Sequence, residues 1–120
     1  MAEKLTLEDY RMALATRAHM RQALAEVAPT TGAFITLASV GPAPGIDFHA
    51  DSGEAEYAFL TGDPAFNAAT SALGAPAITL PKVAVNGMPL GVQVIGAQHH
   101  DWKLTNLANW LDTEVACLST

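Results

Sequence analysis

The sequence predicts an α/β fold in which a small mixed, partly antiparallel sheet packs with an N-terminal and a C-terminal helix. Three observations carry that expectation. Thr6-Leu-Glu-Asp9 opens a segment of helical periodicity running to about Ala28, Asn86-Gly87 stands between two apolar runs, and Asp101 opens a final helical stripe. At 120 residues, half of them hydrophobic, the chain suits a single domain over 1–120 with a modest core.

The elements follow in order. Thr6 offers an oxygen to an unsatisfied amide, and Glu8 and Asp9 suit the positive end of a helix. The apolar face of that helix carries Leu7, Tyr10, Leu14, Ala18, Leu24 and Val27. Arg17 and Arg21 lie within or beside the same arc, where long basic side chains lay their stems on apolar surface and keep the charge wet. Pro29 to Gly32 breaks the helix, and Ala33 to Ala38 reads as a buried strand, being short, apolar and partly β-branched. Residues 40–60 then read as a long acidic surface loop opened by Gly-Pro-Ala-Pro-Gly.

Asp63-Pro64 pairs a helix cap with proline at the first helical position, opening a short helix through Phe66, Ala69 and Leu73 that Gly74 ends. Ala77–Leu80 and Val83–Val85 form one strand, bent or bulged at Pro81. Asn86-Gly87 turns it back, because both residues tolerate positive φ, and Leu90–Ile95 returns antiparallel. Asp101 caps the last helix, whose stripe is Leu104, Leu107, Ala108, Leu111, Val115 and Leu118. Trp102 and Trp110 fall off that stripe beside Asn106 and Asn109. Either they tuck under a neighbouring loop, or Trp102, Asn106 and Trp110 mark an interface, since tryptophans are favoured there; a ligand pocket is the third alternative.

Charge narrows the partners. The formal net charge is −6, and no Lys or Arg occurs between Arg21 and Lys82, which disfavours binding to a phosphate backbone. No run approaches the roughly 20 apolar residues that span a bilayer. The expectation is therefore a soluble protein with neither a nucleic-acid nor a membrane partner. The lone Cys117 cannot close an intrachain disulfide, and Met1-Ala-Glu-Lys4 lacks a secretory start, so a cytoplasmic location is expected.

Candidate chemistry is sparse. Asp47, His49 and Asp51 alternate, with Glu54 and Glu56 near, as a cation site would require, but Ser52 stands where a calcium loop needs glycine. A solvated acidic loop is the preferred reading. His99-His100-Asp101 reads as loop and cap, since adjacent histidines point apart. Cys117 has no basic neighbour to activate it. No catalytic residue, metal or cofactor is assigned.

One set of motifs is more specific. Thr61-Gly-Asp-Pro-Ala-Phe-Asn67 runs into Gly74-Ala-Pro-Ala-Ile-Thr-Leu-Pro81, then Asn86-Gly-Met-Pro-Leu-Gly-Val-Gln-Val-Ile-Gly96 and the Asp101 helix. In this order the segments resemble the C-terminal end of the amidase-signature hydrolases, specifically over Thr61 to Leu111 and weakly before it. Gly91 and Gly96 fit that pattern by permitting close backbone approach. Met88, Ala69-Thr70 and Thr105 depart from it, and the stretch from Ile46 to Leu60 is longer than usual. The resemblance implies that Asp63, Phe66, Asn67 and Thr70 line a substrate funnel. It also implies that the catalytic lysine and serines belong to an earlier part of the family's fold: Ser39, Ser52, Ser71 and Ser119 are isolated, and Lys82 precedes no serine loop.

The function so implied is an amidase-like fragment, non-catalytic alone and self-associating, with a homodimer favoured because it would cover an open sheet edge. The alternatives are an accessory component of a split amidase, with amide hydrolysis on a partner chain, and a small-ligand-binding module.

Overall fold

The computed structural model describes residues 5–43 and 64–120. Helix α1 (Leu7–Val27) starts in a reciprocal cap. The Thr6 backbone N–H donates to Asp9 Oδ2 at 2.8 Å, and the Asp9 N–H donates to Thr6 Oγ1 at 3.1 Å. The Thr6 hydroxyl and then its backbone amide stabilise the Asp9 carboxylate and hold its pKa below the usual value. The expected apolar face forms, yet α1 buries none of its residues. Leu7, Tyr10, Leu14 and Val27 are exposed and Leu24 is half-buried.

Strand β1 (Phe34–Leu37) precedes a 3-10 turn (Pro64–Phe66), helix α2 (Ala68–Leu73), β2 (Ala77–Val85), β3 (Met88–Ile95), helix α3 (Asp101–Glu114) and β4 (Leu118–Ser119). The strands make one mixed sheet in the order β1-β3-β2-β4. β3 pairs antiparallel with β1, Phe34 opposite Ile95, and with β2, Val85 opposite Met88. β2 pairs parallel with β4, Val83 opposite Leu118. Asn86 and Gly87 turn the hairpin at φ 51° and 77°, the left-handed pair that matches strand twist. The register shifts between Leu80 and Val83, so Pro81 and Lys82 form the expected bulge.

α3 packs across β2 and β3. The core is small: Leu90, Leu104, Ala108 and the fully enclosed Val94, at 0% exposure. A Cβ on Gly96 would stand 3.3 Å from Leu104 Cβ, so this glycine sets the spacing of helix and sheet.

Four expectations need correction. Ala33 to Ala38 is not a buried strand: Phe34, Ile35 and Leu37 are exposed, because among the described residues β1 is an edge strand that pairs with β3 on one side only. Asp101 is not the cap of the last helix. His100 holds that position without a side-chain cap bond, and Asp101 is the first helical residue. The stripe also does not continue to Leu118. Lys82 Nζ donates to the carbonyls of Asp112 and Val115 at 2.6 and 3.1 Å and pairs with the Asp112 carboxylate at 3.0 Å, closing the helix and releasing the chain into β4. Finally, the short helix after Pro64 is two pieces, a 3-10 turn and then α2, whose N-cap is Asn67. The expected cap Asp63, and the alternating set Asp47, His49 and Asp51, lie outside the described residues.

Candidate functional site

Alternation along β3 divides the sheet. Leu90, Val94 and Gly96 face α3, while Gly91 and Gln93 take the opposite face, level with Thr36 on β1 and Thr79 on β2. Gly91 is required there: a Cβ would lie 2.5 Å from Thr79 Cγ2 and 3.0 Å from Ala38 Cβ. The space is taken by neighbouring strands, and only a hydrogen fits.

Gln93 is the centre of this face. It is 5% exposed, and its Nε2 donates to Asn67 Oδ1 at 3.1 Å. Asn67 Nδ2 in turn donates to Ala38 O at 3.3 Å, beyond the end of β1. The side chain that could have capped α2 therefore bridges β1, α2 and β3 instead. Thr70 is buried one turn into α2 and its hydroxyl donates to Asn67 O at 2.9 Å. Gln93 Oε1 is buried with no hydrogen-bond partner among the described residues, which is costly for an amide oxygen.

Of the residues expected to line a pocket, Asn67 and Thr70 thus meet at one place, and half-buried Phe66 ends the turn just before them. Asp63 lies outside the described residues. Trp102, Asn106 and Trp110 form a separate surface on the outward side of α3, with the tryptophans 64% and 55% exposed. Sequence reasoning gave Gln93 no role, although a glutamine within the apolar run Leu90–Ile95 was the available signal. Among the described residues the cluster contains no ionisable side chain. It can hold an uncharged polar group in place, and among the described residues it has no nucleophile paired with a base.

The far end of α2 is held by charge. Arg17 Nε donates to Ala72 O at 2.7 Å, Arg21 Nε to Leu73 O at 2.8 Å, and Gln98 Nε2 to Leu73 O at 2.6 Å. These carbonyls are the unsatisfied, negative end of a helix, and guanidinium groups are suited to them. Gly74 closes the same end at φ 63°. Arg17 and Arg21 are therefore fasteners between α1 and α2 rather than edge residues of a packed face.

Comparison with known proteins bears on both fold and sequence. No protein-family model matches the chain. A crystal structure of amidase superposes on 90% of it with a TM-score of 0.68 and 32% sequence identity. The likeness is to an amidase segment. A glutamyl-tRNA(Gln) amidotransferase subunit from Saccharophagus degradans is 28% identical over 105 residues, covering 88% of this chain. The amidase likeness is partial in the other direction, since the chain spans 21% of the length of that relative and 25% of the amidase chain. Among the described residues, no group of three or more His, Cys, Asp or Glu is placed to hold a metal, and no helix is long and apolar enough to cross a membrane.

Proposed function

We propose that this amidase-like chain supplies scaffold to an amide-hydrolysing fold and carries no nucleophile of its own. The carrying observation is α1. It presents Leu7, Tyr10 and Leu14 to solvent along one side, with Met12, Met20 and Val27 exposed on the other, and buries nothing, although it begins in a complete reciprocal cap. In this reading the lysine- and serine-bearing part of an amidase fold, on the same polypeptide or on another, covers the Leu7, Tyr10 and Leu14 side of α1 and the outer edge of β1. Gln93, Asn67 and Thr70 then contribute a wall that positions uncharged groups, and serine acylation takes place elsewhere. The uncharged cluster and the isolated serines support this division of labour.

A second reading, a homodimer, is favoured by the exposed Trp102 and Trp110 on α3. One experiment separates the two: light scattering on the purified chain, with hydrolysis of simple amides assayed on the same fractions. No hydrolysis by the chain alone, and hydrolysis once a serine-bearing amidase part is bound, is the expected result. A stable, inactive dimer supports the second reading, and amide hydrolysis by the isolated chain overturns both.

A further inference from the structure

We propose that the cavity between the C-terminal half of α1 and the start of α3 binds a small organic anion, a carboxylate with an apolar body. The cavity measures about 660 Å³. That is ample for a small molecule, whose pockets run roughly 300–1,000 Å³. Leu24 and Leu104 give it apolar walls, and Arg21 and Lys103 bring two cations to it. Among the described residues no aspartate or glutamate lines it.

Among the described residues neither cation is matched by a carboxylate. Arg21 is held at the wall of the cavity by the bond from its Nε to Leu73 O, with Nη2 close against Gly74, and among the described residues its guanidinium makes no ion pair. Lys103 likewise has no ion pair among the described residues, and its ammonium stands 5.5 Å from the centroid of the Trp102 ring. Like charges sharing a cavity repel, and an anion between them converts that repulsion into two charge-assisted contacts. The first turn of α3 adds backbone donors, since His100 at its N-cap contributes no side-chain bond to them. Asp101, the acid of that turn, is not part of the lining.

The test is calorimetric titration of the natively purified protein with octanoate and, separately, with its neutral isostere octanamide. Octanoate is expected to bind at least about tenfold more tightly, as charge-assisted hydrogen bonds imply. Arg21→Gln and Lys103→Gln should each weaken octanoate several-fold and leave octanamide unchanged. Lys103 is exposed and its ammonium ties no two elements together among the described residues, so its variant keeps the test sound if loss of Arg21 disturbs α2. Octanoate should also change the emission of Trp102, a response absent from Trp102→Phe. Equal binding of acid and amide, no binding of octanoate, or octanoate affinity unmoved in both variants overturns the proposal. None of these readouts involves hydrolysis, so the outcome is independent of the amidase reading.

Discussion

Gly91 and Gln93 sit two residues apart on one strand and make opposite demands on a side chain. At Gly91 there is no room, because Thr79 is β-branched and rigid about χ1 and Ala38 stands on the other side. Gly91→Ala should destabilise the protein by about 1–3 kcal/mol, the usual cost of overpacking, read from the midpoint of urea denaturation. At Gln93 a long side chain is accommodated, but among the described residues its acceptor is unmet. Gln93→Met keeps the volume, removes the orphaned oxygen and is expected within about 1 kcal/mol of the parent. Gln93→Glu puts an unpaired carboxylate into the same enclosure and should cost at least about 3 kcal/mol, measured in the same titration. If Glu were tolerated as well as Met, a donor or cation must reach that oxygen. Gln93 was hard to see in advance because its importance comes from Asn67, which is distant in sequence.

At the scale of elements, the caps and turns were legible because their causes are local. Thr6 and Asp9 are three residues apart and form the bonds expected of them. Thr6→Ala should cost about 1 kcal/mol, seen as a lower thermal midpoint. The Asp9 pKa is lowered on folding, so its contribution is complete above the unfolded value of 3.8 and is lost as pH falls through the lower folded value. Helical circular dichroism should show that loss in acid for the parent and not for Asp9→Asn. Asn86-Gly87 was equally legible. The end of α3 was not, since Val115 and Leu118 keep helical spacing while the helix is closed by Lys82, which approaches from β2. Lys82 is 12% exposed, and Lys82→Met should lower stability by about 1–2 kcal/mol and fray the last turn, visible as faster amide exchange at Leu111 to Val115. The same limitation hid the roles of Arg17 and Arg21, whose acceptors on α2 lie more than 50 residues further along the chain.

For the whole molecule, the mixed sheet and its two flanking helices were foreseen, while the distribution of burial was not. Periodicity shows that a helix has an apolar face; it does not show what covers that face. α1 has such a face and no core residue, whereas α3, of similar spacing, encloses Leu104 and Ala108. Replacing Leu7, Tyr10 and Leu14 together by serine should leave the unfolding midpoint of the isolated chain almost unchanged, because these side chains are already wet. The same triple variant should fail to assemble with a serine-bearing amidase part in a light-scattering titration. Unimpaired assembly would remove α1 from the proposed contact.

The sheet order has a consequence during synthesis. β1 pairs with β3, although the bulged hairpin partner β2 and all of α2 are made between them. A ribosome working from the N-terminus therefore releases α1 and β1 long before β3 exists to receive them. The hairpin of β2 and β3 closes locally and quickly, and β1 must then return across a long stretch of chain, the slow step by topology. Until then the nascent chain carries its longest helix and an unpaired strand edge in the open. Holding factors that bind emerging chains should accordingly be needed most for the first third of this sequence, and moving β1 to the C-terminal side of β3 by circular permutation should lessen that need.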